Sequence, residues 1–168
     1  MRTLFSTRAA VSFLAILLAV GVVGRASPEQ TARAGQARTY RTRLSPVPVD
    51  TTMMATIAGS GTVTATLVGT KLTLTGTFEG LRSPATVARL HRAQKGVRGQ
   101  AVFDLVVANT PGPSGPASST SGTIAGALDL TPTQVDDLGR ERFYVQLHSE
   151  KAPEGNLWGW LQLQESKR

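Results

Sequence analysis

Residues 71–79 read Lys-Leu-Thr-Leu-Thr-Gly-Thr-Phe-Glu, a strict alternation that only an extended strand can use. Side chains two apart share one face of a strand, so Leu72, Leu74 and Phe78 form an apolar face. Thr73, Thr75 and Thr77 form the opposite, solvent-facing one. On a helix the same residues would scatter around the axis and bury nothing coherent. Thr62–Val68 alternates in the same way, and Gly69-Thr70 between the two runs suits a two-residue turn. The pair predicts a β-hairpin, and a lone hairpin needs further strands against its apolar face.

Those strands are legible downstream. Thr86–His91 and Gln100–Val107 read as strands joined by a basic loop, Arg92 to Gly99. The Pro/Gly/Ser-rich stretch from Ala108 to Thr120 reads as a long loop. Gly122–Leu128 is a further strand. The segment from Thr131 to Gly139 carries a full set of helix signals: Thr131 as N-cap, Pro132 at the first helical position, Gln134 to complete a capping box, and Gly139 as the stop. Arg142–His148 and Asn156–Leu163 are the last strands, with a Pro/Gly turn through Pro153 and Gly155 between them. The expected fold is all-β: an antiparallel Greek-key β-sandwich of about seven or eight strands with one short helix. Residues 51–164 form this domain, 27–50 a linker with Pro46 and Pro48, and 165–168 a tail.

Arg2 and Arg8 precede an apolar run from Ala9 to Gly24, followed by Gly24-Arg25-Ala26. This is a charged region, an apolar core and a small-x-small cleavage pattern, so residues 1–26 are expected to be a signal peptide. The alternative is an uncleaved membrane anchor through residues 9–24, short against the usual span of about 20 residues. Either reading places the domain outside the cytoplasm, periplasmic or extracellular. The net charge of +7 is concentrated towards the chain ends. Between Thr51 and Gln164 nine Lys or Arg face eight Asp or Glu, which argues against a nucleic-acid groove. Absence of cysteine excludes disulfides and thiolate chemistry.

Several landmarks, taken in order, resemble the CHRD (chordin-type) domain from Thr51 to Gln164. They are His91 with Gly96 and Gly99, Val102-Phe103-Asp104-Leu105, Ser121-Gly122-Thr123, Leu130-Thr131 with Gln134-Val135 and Leu138, Tyr144-Val145 with His148, and Pro153 with Gly155 and Gly159. The resemblance implies an exported β-sandwich module; in animals such modules occur in an extracellular antagonist of bone morphogenetic proteins. Two departures stand out. Arg89-Leu90-His91 replaces the His-x-His of many bacterial members, and Gly155-Asn156-Leu157-Trp158-Gly159 replaces their Gly-Glu-Ile-Arg-Gly.

A His-x-His strand with a later strand-end His is similar to the ligand pattern of copper/zinc superoxide dismutase. Here His91, His148 and Asp104 are the only weak metal candidates, and Arg89 sits where a second ligand would project beside His91. No metal and no cofactor are expected; a degenerate metal-binding protein is the alternative. The chain has no Gly-x-Ser-x-Gly elbow, His-Glu-x-x-His or phosphate loop, so a non-catalytic binding or accessory module is expected, such as a subunit docked on the outer face of a membrane complex. Trp158 and Trp160 share one face of the last strand, opposite Leu157, Leu161 and Leu163. They are a protein-partner surface, indoles covered by the helix or the long loop, or the core face of the strand.

Overall fold

The structure, a computed structural model, describes residues 36–48, 53–115 and 119–165. The expected signal or anchor segment lies outside the described residues, as do tail residues 166–168. The elements in chain order are β1 (Arg38–Pro46), β2 (Ser60–Val68), β3 (Lys71–Glu79), β4 (Ala85–Arg92), β5 (Gln100–Thr110), β6 (Ser121–Asp129), α1 (Pro132–Gly139), β7 (Phe143–Ser149), β8 (Ala152–Trp160) and the short β9 (Gln162–Leu163).

All strand pairings are antiparallel, and they close on themselves. Neighbours run β2-β3-β6-β5-β4-β7-β8-β1, and β1 returns to β2. The result is an eight-stranded barrel, not the expected sandwich. The Greek-key element survives: β4, β5 and β6 are consecutive neighbours while β3 lies beside β6. Closure depends on β1, which pairs with β2 from Arg38 to Leu44 and with β8 at Ser45 and Pro46. Closing the sheet satisfies both edges that a sandwich would leave open.

β1 falls inside the stretch read as a linker, so the domain begins well before Thr51. Its alternation is real but sparse. Tyr40, Thr42 and Leu44 turn inward and are buried, while Arg41 and Arg43 turn out to solvent. Two large apolar residues among three arginines leave a weak periodic signal, although barrel closure needs no more than that.

The interior is filled by alternate residues of every long strand. Val63, Ala65 and Leu67 from β2, Leu72, Leu74 and Phe78 from β3, Ala88 and Leu90 from β4, Phe143, Val145 and Leu147 from β7, and Leu157 from β8 belong to one cluster. The β2–β3 hairpin has the expected register, with Val68 opposite Lys71 across Gly69, whose φ of +60° suits glycine. α1 joins β6 to β7. Thr131 accepts from the Gln134 N–H and the Gln134 side chain accepts from the Thr131 N–H, completing the expected capping box. Leu138 and Leu130 pack into the core, and buried Asp137 pairs with Arg92 and Arg142, tying α1 to β4 and to the residue just before β7. The Pro153–Gly155 stretch belongs to β8 rather than to a turn; the chain reverses at Glu150 and Lys151. Gly155 has φ +127° and lies against the Gln146 side chain, so a side chain there would be strained and would collide.

Candidate functional site

β4, β7 and β8 are adjacent staves, and their register sets residues in rows. His91 lies opposite Tyr144, and Tyr144 opposite Trp160. Residues that alternate with the core set must point out of the barrel: Arg89 and His91 from β4; Tyr144, Gln146 and His148 from β7; Trp158 and Trp160 from β8. An outer wall is normally wet, yet His91, His148 and Trp160 are 9, 7 and 8% exposed and Tyr144 is fully buried.

These rings cover one another. His91 stacks on Tyr144 at 4.9 Å between centroids, Tyr144 meets Trp160 at 4.7 Å and Trp158 at 5.9 Å, and the two indoles meet edge to face at 4.7 Å. His148 is 6.5 Å from His91. Such geometries suit the quadrupoles of the rings. Trp158 stays half-buried, packed against a second small cluster of Val47, Ile57 and Ala152. Leu157 and Leu161 are buried opposite the indoles, as expected, but Leu163 belongs to β9 and is exposed, and the indoles do not stand free: only Trp158 retains partial exposure.

The β4–β5 loop, residues 93–99, is fastened to this wall. Ala93 N–H donates to the Arg142 carbonyl at 2.9 Å. The Gly99 N–H donates to the Tyr144 hydroxyl at 3.0 Å, and His91 Nδ1 lies 3.0 Å from the Gly99 carbonyl. His148 Nδ1 lies 2.8 Å from the Pro153 carbonyl. A carbonyl only accepts, so each Nδ1 is the protonated nitrogen. The Nε2 of each ring is buried without a protein partner, as is Trp160 Nε1. Burial lowers the His148 pKa below its ordinary value of 6.5; the Pro153 bond opposes this, and Arg89 and His91 reinforce it.

Of the expected metal candidates, His91 and His148 are brought near each other, but Asp104 is engaged elsewhere: its carboxylate accepts from Arg89 Nε at 2.9 Å. Among the described residues no three His, Asp or Glu side chains are grouped to hold a metal ion. The two imidazoles alone fall short of the three or four donors of a stable zinc site.

A shallow groove of about 270 Å³ opens beside Trp158 and Trp160, with Arg43, Ser45, Lys95 and Gln162 also in its lining. The sequence reading singled out the indoles but missed Arg43 and Lys95, one assigned to a linker and the other to a loop. Two further clefts, one of about 320 Å³ beside α1 and one of about 680 Å³ by Arg92 and Arg142, lack the aromatic wall.

A family model, that of the CHRD domain, matches residues 40–161, so the match takes in β1 as well as the wall of rings. No curated protein and no solved structure matches the chain.

Proposed function

The chain belongs to the CHRD-domain family, and from that premise we propose that it is an exported, non-catalytic binding module. Its role would be that of an accessory subunit docked on the outer face of a membrane complex. The observation that carries this reading is the outer wall of β4, β7 and β8. Apolar rings normally fill a barrel's interior; here five aromatic or imidazole rings are stacked outside, at the expense of three buried polar nitrogens without protein partners. A wall of that kind holds Trp158 rigidly at the surface, and rigid indoles are characteristic anchors of protein interfaces.

The test is affinity purification of the full chain from native membrane and soluble fractions, with the co-purifying proteins identified. Wild-type protein should retain a stoichiometric partner that Trp158→Ala loses while still unfolding cooperatively. Identical recoveries for the two proteins, or no partner in either fraction, would refute the reading. A second reading, a two-imidazole copper or zinc site, draws support from the unpartnered Nε2 atoms of His91 and His148. Against it stand the Arg89–Asp104 pairing and the missing third donor. Metal analysis of chelator-washed protein decides between them, with no stoichiometric copper or zinc expected.

A further inference from the structure

We propose that the groove beside Trp158 seats an acidic segment of a protein partner, its carboxylates held between Arg43 and Lys95. This inference rests on the docking reading above and gives the partner a chemistry. The cations of the molecule divide into two groups. Arg89 is paired with Asp104, Arg92 and Arg142 with Asp137, and Lys71 with Asp129. Arg43 and Lys95, like Arg41, Arg82, Arg98, Arg140 and Lys151, have no carboxylate partner among the described residues; what sets these two apart is that both line one groove whose lining holds no acidic side chain.

Their placement is built into the fold. Arg43 lies on β1 two residues before Ser45, where that strand begins to pair with β8. Gly159 permits the approach, because a Cβ there would stand 2.5 Å from the Arg43 carbonyl oxygen and run into Thr42 Oγ1. Lys95 rides on the β4–β5 loop, which Ala93 and Gly99 fasten at its two ends. The remaining lining is Thr42, Ser45, Gly159, Gln162 and the two indoles, with no Leu, Ile, Val, Met or Ala among them. An apolar plug would find no pocket there. Carboxylates would find two unpaired cations, and main-chain amides would find a hydroxyl, an amide and the face of Trp158.

The test uses the full chain and three probes: a short synthetic peptide of alternating Glu, Asp and Gly, the same peptide with Gln and Asn, and polygalacturonate. Binding is followed by calorimetry and by tryptophan emission at low and physiological salt. The acidic peptide should bind and perturb the emission, and the amide peptide should not. Arg43→Gln and Lys95→Gln should each weaken binding by about fivefold. Lys71→Gln, on β3 and outside the groove, should leave it unchanged. No binding of the acidic peptide overturns the inference, as does binding that all three variants weaken equally. Tighter, Trp158-dependent binding of polygalacturonate overturns it in favour of an acidic polysaccharide. A Trp158-dependent partner from the native membrane, with no response to the acidic peptide, refutes this inference alone and leaves the docking reading standing.

Discussion

Removing everything before Asp50 should abolish cooperative folding, whereas a chain beginning at Gln36 should fold. The shorter chain loses β1 and with it Tyr40 and Leu44, both wholly buried, and Val47, nearly so. Burying one such side chain contributes about 1.5–3 kcal/mol, so the three together supply roughly 5–9 kcal/mol. A domain of this size is stable by only about 5–15 kcal/mol in total. Truncation also strips β2 and β8 of the strand between them, turning a closed barrel into a sheet with two bare edges. The two effects act together, and the first alone is comparable with the whole stability. Circular dichroism melts and urea titrations of the two chains measure the difference. Leu44→Ala in the longer chain gives a graded check, with an expected loss of about 2–5 kcal/mol. A cooperative transition in the chain starting at Asp50, within about 2 kcal/mol of the longer one, would show that closure by β1 is dispensable and refute the reasoning.

Three further outcomes follow from single sites. Tyr40→Phe removes a buried hydroxyl that has no protein partner, so stability in urea should be unchanged or higher by up to about 1 kcal/mol. Burial raises the Tyr40 pKa, with Arg38 opposing and Glu141 adding; wild-type stability should therefore be complete below pH 10.0 and decline above it, a decline the variant escapes. For His148, whose folded pKa lies below 6.5, the unfolded chain binds more protons as pH falls. Stability should be full above pH 6.5 and fall below it, and the fall in melting temperature towards pH 5 should be smaller in His148→Gln. Gly159→Ala should cost about 1–3 kcal/mol by pushing β8 off β1, measured against Gly155→Ala, where the collision is with the Gln146 side chain instead.

How far the fold could be read depended on how local its signals were. The β2–β3 hairpin and α1 were legible because their determinants sit within a few residues: Thr/Leu alternation on either side of Gly69-Thr70, and Thr131, Pro132 and Gln134 ahead of Leu138. Sandwich and barrel, by contrast, use the same strands with the same alternation. The difference between them is one long-range pairing, Tyr40 opposite Ala65 on one side and Ser45 opposite Trp158 on the other. Nothing in residues 38–46 announces that pairing, because a strand with five exposed residues can close a barrel while carrying arginines. The same sparseness hid the domain boundary. β8 was obscured for the opposite reason: Pro153 and Gly155 are turn residues by habit, yet Gly155 here relieves a collision with Gln146 inside a strand.

The candidate site shows the limit of periodicity as a guide to exposure. Alternation correctly put Trp158 and Trp160 opposite Leu157 and Leu161, but facing away from the core is not the same as facing water. Whether an outer residue is wet depends on what the rest of the chain lays over it. Here that is the row His91–Tyr144–Trp160 across three staves, and a loop whose Gly99 bonds both to Tyr144 and to His91. The histidines thus acquire a use that needs no metal. Each spends its Nδ1 proton on a backbone carbonyl, His91 fixing the loop that carries Lys95 and His148 fixing the start of β8. Arg43 reaches the groove from the opposite side, on the strand that closes the barrel. The groove beside Trp158 is therefore assembled by the same contacts that complete the fold, from residues more than fifty positions apart. A perturbation that opens the β1–β8 seam should remove the groove before it unfolds the rest.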